Sequence, residues 1–245
     1  MIDQLTLVAK EILAHKFSDA NVVFLAGSIV RGEGTPFSDL DLVVIFEKLS
    51  AAYRESFLFH NFPVEAFVHD PETLNYFLYE VDRPSGIPSL AQMILEGVEI
   101  PKPNQLSKSL KQLASSVMEL GPPVLGEEEL CRMRYNLTNL VDDIRQPHSK
   151  AELIAAGSEL YEALAEFYFR ANNMWSAKGK SIPRILNQAN ANLCLSYCTA
   201  FEELFTNGQP EKVIGLADEI LTPAGGFLFG GYKIEAPANY RKPFD

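Results

Sequence analysis

The sequence predicts an α/β (α+β) N-terminal domain followed by an all-α C-terminal domain. Three observations predict it. Short apolar runs rich in branched residues, at 22–26, 40–46 and 64–69, alternate with stretches of helical spacing. Pro101 and Pro103 then punctuate the chain. Beyond them the apolar residues recur every three or four positions. The expected domains are therefore 1–103 and 104–245.

Each element has its own reason. Residues 1–15 form an amphipathic helix, with Ile2, Leu5, Val8, Ile12 and Leu13 on one face. The run 22–26 is too short for a buried helix and reads as a strand. A short helix begins near Ser28, and a loop with Gly and Pro follows from 32 to 38. Residues 40–46 are the second strand. Residues 49–60 carry helical spacing and are read as a helix, and 64–69 as the third strand. Asp70 is an N-cap, with Pro71 at the first helical position of a helix running to about Asp82. Residues 88–96 form a further helix, ended at Gly97, with 98–100 extended. In the second half, helices are expected at 106–120, 127–145, 149–175, 181–205 and 211–221. An ordered aromatic and Pro-rich tail follows on the surface.

Composition narrows the function. Of 245 residues, 47% are hydrophobic, enough for a normal core without disulfides. Mean hydropathy is -0.01, that of a globular chain. Cys131, Cys194 and Cys198 match no metal-binding spacing and read as small buried hydrophobes in a reducing cytoplasm. No secretory signal and no membrane span are expected. The net charge of -11 argues against nucleic acid as a general partner, because such binding neutralises phosphates with cations.

The chemistry concentrates between Gly27 and Asp41. Asp39 and Asp41 sit at the start of a buried strand, two apart, so both project to one face. Paired carboxylates there repel each other and call for a cation. Mg²⁺ suits an open strand end, where it keeps water and takes substrate phosphates. Glu65, on the next strand, completes a triad if the two strands are neighbours. Gly27 lets a backbone approach an anion, and Ser28 offers a hydroxyl and an amide at a helix start. Arg31, one turn on, can present a guanidinium to phosphate. Taken singly each piece has an ordinary structural reading, as a turn, a surface charge or a solvated acid. In this order, with strands on both sides, they point to phosphoryl or nucleotidyl transfer. Gly179-Lys180-Ser181 is no P-loop, because Met174 stands where that motif needs glycine.

Gly27-Ser28, Arg31-Gly32 and Ser38-Asp39-Leu40-Asp41, with a later strand acid, resemble the signature of the DNA polymerase β-type nucleotidyltransferase superfamily. The spacing is similar to that of its small bacterial aminoglycoside and lincosamide nucleotidyltransferase-like members. The resemblance implies a small mixed sheet flanked by helices, then a helical bundle that binds the acceptor. It implies Mg²⁺, as two ions, on Asp39, Asp41 and Glu65. Glu65 is there a ligand or the general base. It implies an NTP, ATP in the leading reading, held by Gly27, Ser28, Arg31 and Ser38. In the helical half, residues 170–184 resemble the antibiotic-modifying branch. That assigns Lys180 to the triphosphate and Trp175 to the acceptor pocket, with Asp142 a further acceptor-side candidate. The expected reaction moves a nucleoside monophosphate onto a hydroxyl of a small acceptor and releases pyrophosphate. The protein acts as a monomer or homodimer. The alternative is a nucleotide-binding or toxin-antitoxin-type module that modifies a protein or RNA partner. The fused helical half favours the small acceptor.

Overall fold

The computed structural model describes residues 2–243, with side chains from 5 to 243, and divides into two compact units, 1–123 and 124–245. The side chain of Ile2, expected on the first helix's apolar face, lies outside the described residues.

The first unit begins with α1 (Ile2–Lys16), whose Leu5, Val8, Ala9 and Ile12 are buried. β1 (Val22–Ala26) follows and runs directly into α2 (Gly27–Val30). After the loop comes β2 (Leu40–Ile45). β3 (Tyr53–Phe59) and β4 (Phe62–His69) form an antiparallel hairpin. α3 (Pro71–Tyr76) continues as a π-helical segment to Asp82, then α4 (Arg83–Ser85) and α5 (Ser89–Glu96). β5 (Val98–Ile100) and α6 (Gln105–Leu120) complete the unit.

The five strands form one mixed sheet in the order β3-β4-β2-β1-β5. β2 and β4 are parallel, and the other neighbours are antiparallel. Side chains alternate across a strand. Val23, Leu25, Leu40, Leu42, Val44, Val64, Ala66 and Val68 therefore share a face, and they bury it against α1. The opposite face carries Phe24, Val43 and Ile45, fully buried where α5 packs on β1 and β2. Asp41 and Glu65 belong to this second face, at the strand ends beyond the apolar cover.

One expected element is different. Residues 49–60, read as a helix, contain the strand β3. Glu55, Phe57 and Phe59 are half-buried while Arg54, Ser56 and Leu58 are exposed, a period of two. His60 (φ 47°) and Asn61 (φ 67°) turn the chain back with both residues left-handed, the backbone of a tight hairpin turn. Elsewhere the expected cap is present: the Asp70 side chain accepts from the Thr73 N–H and the Thr73 hydroxyl accepts from the Asp70 N–H. α6, which the sequence reading puts after the boundary at 103, packs on α5 within the first unit.

The second unit is helical: α7 (Glu127–Arg145), α8 (Lys150–Ala171), α9 (Ile182–Ala189), α10 (Ala191–Asn207) and α11 (Glu211–Leu221). The helix expected from 181 to 205 is thus two helices, with Asn190 between them capping α10. Its core is separate, built on Leu160, Leu164, Phe167, Phe169, Tyr197 and Phe201. Cys194 is buried in it, as expected of a small hydrophobe, and Cys198 is partly buried. The tail is ordered on α7. Arg134 donates to the carbonyls of Gly225 and Gly226, and Tyr135 stacks on Tyr232 at 4.1 Å. Among the described residues, no helix is long and apolar enough to cross a membrane.

Candidate active site

The site is assembled by strand register. β2 pairs with β1 on one side and with β4 on the other, so Asp41 lies between Ala26 and Glu65. Asp39 precedes β2 by one residue and shares the parity of Asp41. The consequence is a cluster: one ligand atom from each of Asp39, Asp41 and Glu65 lies within 4.8 Å of the others. All three side chains are half-buried. Three oxygens at that spacing form a hard, anionic donor set of the kind that divalent cations take. The residues present fit such an ion.

Gly27 fits against this cluster. Its φ of +81° lies in the left-handed region that favours glycine. A Cβ placed there would stand 1.9 Å from Asp41 Oδ2. The end of β1 therefore lies against the carboxylate of Asp41, and only a glycine leaves that oxygen its place.

The loop between α2 and β2 is held by hydroxyls. Ser28 Oγ donates to Ser38 Oγ at 3.3 Å, and Ser38 Oγ also accepts from the Thr35 N–H at 2.9 Å. The Ser28–Ser38 bond thus ties the start of α2 to the residue just before Asp39. Arg31 is engaged elsewhere: Nε meets Glu33 at 2.9 Å and a terminal nitrogen meets Glu96 at 3.1 Å. Burial tends to lower its pKa, but the two carboxylates outweigh that and raise it. The side chain braces the loop against the end of α5.

The structure brings together Gly27, Ser28, Ser38, Asp39, Asp41 and Glu65 in the first unit. Lys180, Trp175 and Asp142 stand on the second. Lys180 is exposed on the turn Gly179–Ser181, Trp175 is half-buried, and Asp142 is exposed and paired with Arg145 at 3.0 Å.

Two features escape the sequence reading. Arg54 forms an ion pair with Glu65 and lies over the Phe67 ring, its guanidinium carbon 4.9 Å from the centroid. The alternation of β3 is the signal that places it there. His69, two residues beyond Phe67 on the same face, lines an apolar cavity of about 530 Å³ with Phe67, Phe77, Asp82 and Met93. Burial lowers the His69 pKa to about 4, against a small opposing effect of Asp70. Burial raises that of Asp82 to about 6, despite amide hydrogen bonds from Leu90 and Ala91.

The match with known proteins falls on this same stretch. The family model described as "Nucleotidyltransferase domain" matches residues 8–82. Residues 8–82 are a nucleotidyltransferase domain. The match takes in the acidic triad, Gly27, Ser28, Arg31, Ser38 and Arg54, and none of the second unit. Domains of this kind transfer a nucleoside monophosphate from an NTP and use divalent metal. No curated protein matches the chain. Among solved structures the chain is similar to a nucleotidyltransferase-like protein from Exiguobacterium sibiricum 255-15, at 15% identity and a TM-score of 0.42. That alignment covers 89% of this chain and 75% of the other.

Proposed function

We propose that the chain is a Mg²⁺-dependent nucleotidyltransferase that moves a nucleoside monophosphate from an NTP, ATP in the leading reading, to a hydroxyl of a small acceptor. The observation that carries this is the convergence of Asp39, Asp41 and Glu65 within 4.8 Å inside the nucleotidyltransferase domain. Two Mg²⁺ ions bound there would neutralise charge on the triphosphate and align the α-phosphate. Asp39 and Asp41 supply their carboxylates to that end. Glu65 is the third ligand or takes the acceptor proton. The acceptor oxygen bonds to the α-phosphorus, the bond to the bridging oxygen breaks, and pyrophosphate leaves with the electron pair.

The backbone at Gly27 and the hydroxyls of Ser28 and Ser38 serve the phosphates, and Ser38 sets the distance between that end and the metal end. Arg31 already pairs with Glu33 and Glu96, so its first role is to hold the loop, and its guanidinium donors beyond those two bonds serve phosphate. By resemblance alone, Lys180 is assigned to the nucleotide, and Trp175 and Asp142 to the acceptor. The helical unit is accordingly the acceptor domain in this reading, and a reducing cytoplasm its setting.

ATP labelled in the α-phosphate, incubated with Mg²⁺ and a panel of hydroxyl-bearing acceptors, tests the proposal. Label transfer with pyrophosphate release is expected. Asp41→Ala should slow it by about 10³-fold, roughly 4 kcal/mol of lost transition-state stabilisation. Absence of Mg²⁺-dependent NTP binding, or binding and transfer unchanged in Asp41→Ala, overturns it.

A further inference from the structure

We propose that Arg54 is a positioning residue that acts as a built-in counter-cation at Glu65 of the acidic triad and competes with the first divalent ion for that carboxylate. The proposal rests on the metal-site reading above and goes beyond it, since it concerns what occupies the triad's charge before any ion arrives.

Three carboxylates packed within 4.8 Å repel one another. Arg54 relieves part of that repulsion by pairing with Glu65. Its place follows from the sheet. β3 is the edge strand beside β4, and Arg54 is registered opposite Phe67, two residues from Glu65. Arg54 and Phe67 face the same side, so the guanidinium reaches Glu65 diagonally while resting on the Phe67 ring. The two partners differ in freedom. The Glu65 side chain is only 18% exposed, held between β2 and β3, whereas Arg54 is 61% exposed. Glu65 therefore stays and Arg54 moves. The ring of Phe67, on which the guanidinium already rests, goes on holding it once the carboxylate is taken.

The charges give the direction. Ionised, the triad carries three negative charges, and Arg54 returns one. Removing Arg54 raises the negative potential and removes a competitor for one ligand oxygen, so ion binding without nucleotide becomes tighter.

Mn²⁺ binding to the nucleotide-free full chain, followed by the loss of the free-ion electron paramagnetic resonance signal, tests this. The component that disappears in Asp41→Ala defines the site. Arg54→Ala and Arg54→Gln should each bind Mn²⁺ about two- to fivefold more tightly, the range for an exposed ion pair. Arg54→Lys, which keeps the charge, should stay close to wild type. Far-UV circular dichroism confirms that each variant folds, and the Gln variant keeps the bulk over Phe67 if the Ala variant does not. Unchanged or weaker Mn²⁺ binding in both neutral variants overturns the role of Arg54 while leaving the proposed reaction intact. Absence of Mn²⁺ binding in wild type and all variants overturns both.

Discussion

Gly27 meets two demands at once. Its backbone is left-handed, and its missing Cβ leaves room for Asp41 Oδ2. An alanine would carry a backbone cost of about 1–2 kcal/mol and would also push the carboxylate out of the triad. The atom in the way belongs to a side chain, so the fold can yield by moving Asp41, and the damage falls on the site. Gly27→Ala is therefore expected to lower the melting temperature modestly and to cut Mg²⁺-dependent transfer by about a hundredfold, the effect of a misplaced reacting group. Thermal denaturation read beside initial rates checks this. Equal loss of stability and activity would make Gly27 a folding residue only. Asp39, Asp41 and Gly27 are legible in the sequence because their neighbours in chain order are also their neighbours in space. Arg31 is not, because what decides its role is Glu96, brought to it by the packing of α5 near α2. No spacing rule spans that separation.

Among the elements, β3 is the instructive miss. Leu49, Tyr53 and Phe57 stand four apart and suggest a helix. Residues 53–59 also fit a half-exposed edge strand, whose burial alternates by two. A His-Asn turn is a weaker hairpin signal than Asn-Gly, so nothing local tips the balance. The register of β3 on β4 does, and with it Arg54 enters the site. The same sheet face, farther along β4 and covered by the helical segment that follows, holds a pair with opposed ionisation. His69 has a folded pKa near 4, below its ordinary 6.5. The unfolded chain thus binds more protons across that window, and the His69 contribution to stability rises with pH from about 4 to 6.5. Asp82 has a folded pKa near 6, above its ordinary 3.8. The folded chain holds the extra proton there, and stability falls as pH rises through that window. The two slopes oppose each other on one cavity. Relative to wild type, His69→Phe should be most favourable near pH 4 and lose that advantage by pH 6.5. Asp82→Asn should gain relative stability as pH rises from 4 to 6. Each change is of order 1–2 kcal/mol once solvent screening is allowed for. Urea midpoints at pH 4, 5, 6 and 7 measure both, and parallel curves for wild type and variants would contradict the assignment.

Over the whole molecule the sequence is readable to different depths in its two halves. The α/β then all-α order follows from apolar periodicity, and each half has its own buried core. The boundary is less legible. Proline-rich residues 101–103 look like a linker, yet α6 beyond them covers α5, so the compact unit ends after Gly121-Pro122-Pro123. Prolines mark where a helix cannot run, and they say nothing about which neighbour the next helix packs on. The proposed reaction is read from the first unit, where the acids are, whereas the acceptor it would take depends on surface shape that no motif encodes. Separate cores give a test at this scale. A ligand that binds mainly the folded first unit stabilises that unit by mass action, by about 2.7 kcal/mol at a hundredfold excess over its dissociation constant. Differential scanning calorimetry of the full chain is expected to show two transitions. Mg²⁺ with a nonhydrolysable ATP analogue should raise one of them by several degrees and the other by less, since Lys180 is the one nucleotide contact assigned to the helical half. Asp41→Ala should abolish the larger shift. Hydrogen exchange assigns the more shifted transition: protection must grow in β1, β2 and β4, where the triad is held. If both transitions move together, and by the same amount, the nucleotide is bound by both units equally, and the helical half contributes to the NTP site beyond Lys180.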